Sequence, residues 1–139
     1  MKLLDTNVLV YAAGRPHPSR EPCRRILLEV SARPDGYCID VEILQELMDV
    51  YTRRGQRAFA AQIVGQTLRS FDDPLPLTRR EIEEAADIVR GYRKVTPRDA
   101  VHAAFVLTYG LEGIVSADKS FDQIAGVTRF DPLTLAAEL

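Results

Sequence analysis

The stretch KLLDTNVLVY, residues 2–11, places an aspartate at the end of a short apolar run. Lys2-Leu3-Leu4 has the length and composition of a buried strand, and Asp5 follows it directly. In an open parallel sheet, ligands bind beside the carboxyl ends of the strands. The stretch therefore indicates an α/β fold, with Asp5 at the edge of the sheet where a ligand would bind.

The rest of the chain alternates between helical periodicity and brief apolar strands. Further strands are predicted at Tyr37–Ile39, Gly113–Ser116 and Val127–Phe130. Helices are predicted after Pro22, at about Val41–Arg54, at Gln56–Ser70, after a capping box formed by Thr78 and Glu81, from Pro97 to about Tyr109, and after Pro132. This alternation is typical of an α/β domain with a mainly parallel sheet.

Periodicity also predicts which helix faces are buried. For the helix over Gln56–Ser70 the predicted face is Ala61, Val64, Leu68 and Phe71. For the helix after the capping box it is Ile82, Ala85, Ala86 and Val89. The helix that begins at Pro97 is apolar almost all round, so we expect it to be buried on most sides.

Length and composition exclude several classes of protein. The sequence has 139 residues, and we predict a single domain over residues 1–139. Hydrophobic residues make up 46% and charged residues 27%, which excludes a disordered or collagen-like chain. Only two cysteines occur, so we expect no disulfide framework and a reducing compartment, the cytoplasm. No apolar run approaches the roughly 20 residues of a membrane span.

The net charge of −2 comes from 18 basic and 20 acidic residues. This balance differs from that of a strongly basic, non-specific nucleic-acid binder. It leaves nucleic-acid binding open, because an acidic pocket that holds a divalent metal would cancel a basic rim in the total charge.

Four acidic residues from distant segments are predicted to meet at one pocket. They are Asp5 after the first strand, Glu46 within a helix, Asp99 in the first turn of the apolar helix, and Asp118 after the strand that contains Ser116. Carboxylates that converge raise one another's pKa and destabilise a fold. Mg²⁺ or Mn²⁺ offsets this repulsion, because hard cations bind carboxylate and water oxygens. We therefore predict a metal centre that activates water and polarises a phosphoryl group.

Each of these acids also has a structural interpretation. Asp5 could cap the turn after its strand, and Asp99 could complete a capping box at the start of its helix. Asp118 could belong to an ordinary loop, and Glu46 could be a solvated helix residue. The convergence of all four acids is what favours a metal centre.

Three neighbouring residues are secondary candidates. Asp122 follows Asp118 by four residues and is predicted as a further metal ligand on the same rim. Ser116 could donate a hydrogen bond to a carboxylate. His102 lies on nearly the same helix face as Asp99, and the preferred interpretation is a packed histidine rather than a ligand.

Four motifs in this order resemble the PIN-domain ribonucleases, most closely the VapC-type toxins of prokaryotic toxin–antitoxin pairs. The motifs are Leu4–Leu9, Gln45–Leu47, Arg98–Ala104 and Val115–Asp122. The resemblance implies a three-layer α/β/α domain and a Mg²⁺- or Mn²⁺-dependent endonuclease acting on RNA. The family's acidic quartet falls on Asp5, Glu46, Asp99 and Asp118, with Asp122 as a frequent fifth acid and Ser116 where many relatives have threonine. Such toxins usually form dimers, and an antitoxin covers their acidic pocket.

Two other functions stay open at this point. The chain could be a catalytically inactive PIN-fold module that binds RNA or another protein. It could also be a receiver-type phosphoacceptor with Lys119 near a strand, although no second central aspartate matches the acceptor position. A dinucleotide-binding fold is disfavoured, because no Gly-x-Gly-x-x-Gly motif follows the first strand.

Overall fold

A computed structural model describes residues 1–139. Its sheet contains the strands β1 (Lys2–Leu4), β2 (Tyr37–Cys38), β3 (Gly113–Val115) and β4 (Arg129–Phe130) in the order β2-β1-β3-β4. Its helices are α1 (Thr6–Ala13), α2 (Arg20–Ala32), α3 (Val41–Arg53), α4 (Arg57–Ser70), α5 (Arg79–Gly91), α6 (Pro97–Thr108) and α7 (Pro132–Ala137). Every strand pair is parallel, so the predicted α/β fold is confirmed.

The central strand β1 is buried on both faces. Leu3 pairs with Cys38 of β2 on one side and with Ile114 of β3 on the other. Leu3 and Leu4 are fully buried, which explains why the strand reads as an apolar run rather than an alternating one. Because β1 and β3 are neighbours, the residues that follow them emerge side by side at one edge of the sheet.

Several helices begin where capping residues predicted them. Asp40 accepts a hydrogen bond from the backbone N–H of Ile43 at 3.0 Å, at the start of α3. Thr78 and Glu81 form the predicted capping box of α5. Thr96 accepts from the N–H of Asp99, and α6 follows. These side chains satisfy N–H groups that have no acceptor within the helix.

Two helix boundaries differ from the prediction. α1 begins directly after Asp5, in a segment for which the sequence indicated only apolar chain. α2 begins at Arg20, so Pro22 lies in its first turn rather than before it. Proline is tolerated there because the first N–H groups of a helix make no intrahelical bond.

The predicted buried faces of α4 and α5 are wrong except at Phe71 and Ala85, which are buried as predicted. In α4 the buried residues are Ala60, Ile63 and Thr67, whereas Ala61 and Leu68 are exposed and Val64 is half-buried. In α5 the buried residues are Glu81, Ala85 and Ile88, whereas Ile82, Ala86 and Val89 are exposed. Polar residues occupy the buried faces because their polar atoms are paired. Thr67 donates to the carbonyl of Ile63 at 2.7 Å, and Glu81 caps its own helix.

The core is one cluster of 32 buried hydrophobic residues. α6 is buried on most sides, as predicted, and its residues Ala100, Ala103, Ala104 and Phe105 are fully buried. The helix therefore holds Asp99, in its first turn, at the margin of the core. None of the helices combines the length and apolar composition needed to cross a membrane.

Candidate metal centre

Asp5 is the N-cap of α1 and is only 6% exposed. Its Oδ1 accepts from the backbone N–H of Thr6 at 2.7 Å. Its Oδ2 accepts from Ser116 Oγ at 2.6 Å and from Asn7 Nδ2 at 3.1 Å. Burial raises the pKa of Asp5 above its ordinary value, although the hydrogen bonds and nearby His102 act in the opposite direction. Asp5 is thus both a helix cap and a buried acid fixed by three donors.

Glu46 reaches the same region from the middle of α3. Its Oε1 lies 2.7 Å from His102 Nε2, and its other oxygen accepts a hydrogen bond from Thr6 Oγ1. The other ring nitrogen of His102 lies 2.6 Å from Oδ2 of Asp40, and both residues are buried. Burial opposes a charged ring, but these two carboxylates outweigh it and raise the pKa of His102 well above its ordinary value.

Asp99 and Asp118 approach from the opposite side and share Ser120. The Ser120 hydroxyl donates to Asp99 Oδ2 at 3.2 Å, and its backbone N–H donates to Asp118 Oδ1 at 2.9 Å. Burial, the charge of Asp118 and the charge of Asp5 raise the pKa of Asp99 to about 6. Partial burial acts against ionised Asp118, but the hydrogen bonds from Ser120 lower the pKa of Asp118.

The structure brings two of the four predicted acids, Asp5 and Glu46, together with His102, and it joins the other two, Asp99 and Asp118, through Ser120. One oxygen or nitrogen atom from each of Asp5, Glu46 and His102 lies within 4.8 Å of the others. The negative charges of Asp118 and Asp5 both act on Asp99 and raise its pKa. These side chains come from the residue after β1, from α3, from the first turn of α6 and from the segment after β3.

The carboxylate of Asp122 forms an ion pair with Arg129 rather than contacting the other acids. Its two oxygens lie 2.9 and 3.3 Å from Nε and Nη2 of Arg129, and Asp122 itself is half exposed. Arg129 also donates to the carbonyl of Ser116 at 3.0 Å and contacts Asp131 at 3.2 Å. Arg129 thus ties β4 to the segment that carries Asp118, and the ligand role of Asp122 stays a prediction.

The sequence did not reveal the role of Asp40 beyond helix capping. One oxygen of Asp40 caps α3 while the other contacts His102. The sequence pattern of a capping aspartate is the same whether or not its second oxygen contacts another side chain. The available hint was a histidine on an almost entirely apolar helix, because a buried imidazole needs polar partners.

The donor set fits a hard divalent cation. Asp5, Glu46, Asp99 and Asp118 offer only carboxylate oxygens, which Mg²⁺ and Mn²⁺ prefer. Burial is the main cause of the raised pKa values of Asp5 and Asp99. The charge of Glu46 raises the pKa of Asp5 further, and the charges of Asp118 and Asp5 raise the pKa of Asp99 further. A bound cation would offset the repulsion between these carboxylates, whereas a neutral ligand would not.

Comparison with known proteins places the chain in a family. The PIN domain description matches residues 2–127. Ribonuclease VapC7 of Mycobacterium tuberculosis is 31% identical over 136 residues, which are 95% of this chain and 92% of that protein. Ribonuclease VapC13 of the same species is 28% identical over 129 residues, which are 93% of this chain and 98% of that protein.

Two solved structures have the same fold. FitAcB from Neisseria gonorrhoeae superposes with a TM-score of 0.76 at 24% identity, over 96% of this chain and 99% of that chain. A toxin–antitoxin complex from Klebsiella pneumoniae gives a TM-score of 0.69 at 20% identity, over 95% and 98%. The predicted three-layer α/β/α architecture is confirmed, and the chain belongs to the PIN domain family.

Proposed function

We propose that this protein is an endoribonuclease that hydrolyses RNA phosphodiester bonds with Mg²⁺ or Mn²⁺ as its cofactor. The observation that carries the proposal is that Asp5 and Glu46 lie together beside His102, while Ser120 joins Asp99 to Asp118 and the charge of Asp5 acts on Asp99. RNA is supported as the substrate because the curated relatives are named ribonucleases. The same four carboxylates would hold the cation.

The chain's own residues supply an ordered set of oxygens for this chemistry. Thr6 and Ser116 fix the two oxygens of Asp5, so its carboxylate cannot rotate freely. His102 and Thr6 fix Glu46 in the same way. When bound, a divalent cation stabilises the charge that develops on a phosphodiester during in-line displacement. Ordering of these side chains before the substrate arrives lowers the cost of reaching that geometry.

An Asp5→Asn variant tests this proposal. We expect it to lose Mg²⁺-dependent RNA cleavage. Its free energy of unfolding should change by no more than about 1–2 kcal/mol, because the asparagine relieves repulsion by Glu46 but loses one oxygen as a hydrogen-bond acceptor. Cleavage is measured on a labelled RNA and stability by urea unfolding. Asp35→Asn, an exposed carboxylate far along the sequence, is the control and should keep full activity.

The outcomes of this experiment separate the open alternatives. Full activity of Asp5→Asn would overturn the assignment of the quartet. A protein that binds RNA but cleaves none at any Mn²⁺ concentration would be the inactive binding module. Stable labelling by a small phosphodonor such as acetyl phosphate would instead indicate a receiver-type phosphoacceptor.

The fifth predicted ligand is tested separately. Asp122→Asn is expected to weaken Mn²⁺ binding, measured by calorimetry, if Asp122 leaves Arg129 to join the quartet. An unchanged affinity would restrict Asp122 to the ion pair with Arg129 that the structure contains.

We further propose that the protein is the toxin of a type II toxin–antitoxin pair and that an antitoxin covers the acidic pocket. The support is the VapC name of its relatives and the toxin–antitoxin complex among structures of the same fold. A small antitoxin-like reading frame beside the gene, whose purified product stops RNA cleavage, is the expected result. No inhibition by any neighbouring product would remove this role but leave the nuclease activity standing.

Three further features belong to the same proposal. Residues 1–139 act as one domain, which the single shared core supports. The protein acts in the cytoplasm, which two free, buried cysteines support. It also forms a homodimer, for which α5 offers an exposed apolar surface of Ile82, Ala86 and Val89, named here the α5 stripe.

A further inference from the structure

Asp40 is a buried acid that does not belong to the predicted quartet. It follows β2 and precedes α3, and its side chain is fully buried. Its Oδ1 caps α3 by accepting a hydrogen bond from the backbone N–H of Ile43 at 3.0 Å. Its Oδ2 lies 2.6 Å from Nδ1 of His102, which is on α6. The two oxygens of Asp40 therefore contact two different helices.

Helix capping alone does not explain an aspartate at this position. Threonine caps both α5 and α6 in this protein, and serine caps helices about as well as aspartate does. A buried carboxylate loses its hydration, and this cost must be offset by its partners. Serine would cap α3 without that cost, but its single oxygen could not also take the place of Oδ2 beside His102. The contact with His102 therefore accounts for the larger side chain of Asp40.

His102 links Asp40 to Glu46, one of the predicted metal ligands. The Nε2 atom of His102 lies 2.7 Å from Oε1 of Glu46, and the His102 side chain is 1% exposed. The imidazole ring is rigid, so a partner that fixes Nδ1 also fixes the direction in which Nε2 points. Asp40 therefore determines where the hydrogen bond between His102 and Glu46 can form.

Glu46 is the member of the quartet whose carboxylate has the most freedom to lose. The other three acids are aspartates, which have one rotatable side-chain bond fewer. A glutamate therefore loses more rotamer entropy when its carboxylate is fixed. His102 and Thr6 each contact one oxygen of Glu46. A ligand that is ordered during folding binds a cation more tightly, because the entropy of ordering it is not lost again on binding.

The contact between His102 and Glu46 also joins two helices that carry acids of the quartet. Glu46 lies on α3, whereas Asp99 lies on α6, three residues before His102. A second link between these helices, from Arg98 to Asp49 at 3.2 Å, is partly exposed, so water and salt weaken it. The buried link is therefore the stronger restraint on the separation of α3 and α6.

We propose that Asp40 is a positioning residue for the metal centre, which acts through His102 to hold Glu46 where it can bind the cation. This inference rests on the proposed function, because it takes Glu46 as a metal ligand. Asp40 itself contacts neither the metal nor the RNA in this proposal. Its effect on the cation depends on the ring of His102 and on the carboxylate of Glu46.

Two substitutions of Asp40 separate positioning from helix capping. Asp40→Ser keeps an oxygen that can cap α3 but leaves Nδ1 of His102 without its partner. Asp40→Asn keeps the cap, and its amide N–H can donate to Nδ1 of a neutral ring, which leaves a proton on Nε2 for Glu46. Mn²⁺ binding to each protein is measured by calorimetry, after circular dichroism has shown that the protein is folded.

We expect Asp40→Ser to bind Mn²⁺ about ten- to hundredfold more weakly than the wild-type protein, as is usual when a residue that orients a metal ligand is removed. Asp40→Asn should bind Mn²⁺ within about threefold of the wild-type affinity, because it keeps the orientation of the ring. Wild-type affinity in Asp40→Ser would overturn the proposal. Equal weakening in both variants would also overturn it, because only the charge of Asp40 would then matter.

A matched control removes a buried capping carboxylate elsewhere. Glu81 is 1% exposed, caps α5 and contacts Thr108 at the opposite end of α6 from Asp99. Glu81→Gln should change Mn²⁺ affinity by less than about twofold, whatever its effect on stability, because distant sites act independently. Weakening as large as that of Asp40→Ser would assign the effect to general destabilisation and overturn the proposal.

His102→Asn tests the same link if Asp40→Ser does not fold. Its amide can take the place of Nδ1 beside Asp40, but its side chain is too short to replace Nε2 beside Glu46. The cap of α3 is unchanged, so this variant should bind Mn²⁺ about ten- to hundredfold more weakly. Wild-type affinity would show that Glu46 needs no positioning through His102.

A readout without metal distinguishes failure of this inference from failure of the proposed function. The Nε2–H proton of His102 is followed by NMR in protein with isotope-labelled histidine, and His17→Ala assigns the signal of the other histidine. We expect slow exchange of this proton with water in the wild-type protein and in Asp40→Asn, and fast exchange in Asp40→Ser. This pattern in a protein that binds no Mn²⁺ would support the positioning of Glu46 and refute the metal centre. Mn²⁺ binding with slow exchange in all three proteins would support the metal centre and refute the role of Asp40.

Discussion

The buried hydrogen bonds that join Asp40, His102 and Glu46 show how one residue, His102, supports the metal centre. Each ring nitrogen of His102 contacts a carboxylate oxygen, at 2.6 and 2.7 Å. An imidazolium with two carboxylate partners is satisfied on both sides, although all three groups are largely removed from water. His102 therefore supplies a positive charge to two carboxylates whose other partners, the Ile43 N–H and the Thr6 hydroxyl, are neutral.

Replacing His102 with alanine should accordingly destabilise the fold. The change leaves the carboxylates of Asp40 and Glu46 without their common partner, and breaking a buried pair in this way costs about 3–5 kcal/mol. Urea unfolding at neutral pH, in the absence of divalent metal, measures the loss. His17→Ala is the control. His17 is exposed, but its ring accepts from the Ser19 N–H at 3.0 Å and stacks on Tyr11, so the loss should be no more than about 1 kcal/mol. A loss below about 1 kcal/mol in His102→Ala would show that His102 does not stabilise the buried carboxylates of Asp40 and Glu46.

Site residues could be predicted from sequence where a strand end or a helix cap fixes their position. Asp5 and Asp118 were placed by the strands they follow, and Asp99 by the start of α6. The contacts of Asp40 and Arg129 were not predictable, because they join segments that approach only in the folded molecule. Local patterns specify where a chain turns, but they do not specify which side chains meet across the fold.

At the scale of elements, starts of helices were predicted better than their buried faces. A cap is a local interaction, and the caps of α3, α5 and α6 satisfy N–H groups within three residues of the capping side chain. The buried face depends on which neighbour a helix meets. α5 packs mainly against α6, so only a narrow face of it is covered, and its apolar residues extend beyond that face.

Gly113 is the position at which the approach of β3 to β4 depends on a missing side chain. A Cβ atom there would lie 2.1 Å from the Thr128 carbonyl oxygen and 2.8 Å from the Phe130 ring. We expect Gly113→Ala to destabilise the protein by about 2–3 kcal/mol, since the strands must separate to admit a methyl group. Thermal unfolding followed by circular dichroism measures the effect.

A matched glycine provides the control for this substitution. A Cβ atom on Gly91, at the end of α5, would meet nothing within 4 Å. Gly91→Ala should leave stability equal or raise it by up to about 1 kcal/mol, because alanine loses less backbone entropy in a helix. Similar stability of the two variants would show that β3 and β4 can move apart at little cost.

At the scale of the whole molecule, the α5 stripe is an apolar surface that the fold leaves uncovered. Ile82 is 48% exposed and Val89 is 43% exposed. Ion pairs between Arg79 and Glu83 and between Arg90 and Asp87 place both signs of charge beside it. A surface with an apolar centre and mixed charges at its rim suits a two-fold contact, in which the same patch of two copies faces itself.

Substitution of this stripe tests the proposed homodimer. We expect the wild-type protein to elute as a dimer in size-exclusion chromatography with light scattering, and Ile82→Lys with Val89→Lys to elute as a monomer. The two lysines would be buried without partners in the dimer, whereas each is solvated in the monomer, so folding of the single chain should survive. Leu28→Lys, at a residue of α2 that is 71% exposed, is the control and should remain dimeric. The protein is loaded at about 100 µM, roughly a hundred times the Kd of a micromolar dimer. A wild-type monomer at this concentration would show that the α5 stripe does not join two copies. A dimer that only Leu28→Lys dissociates would instead place the interface at α2.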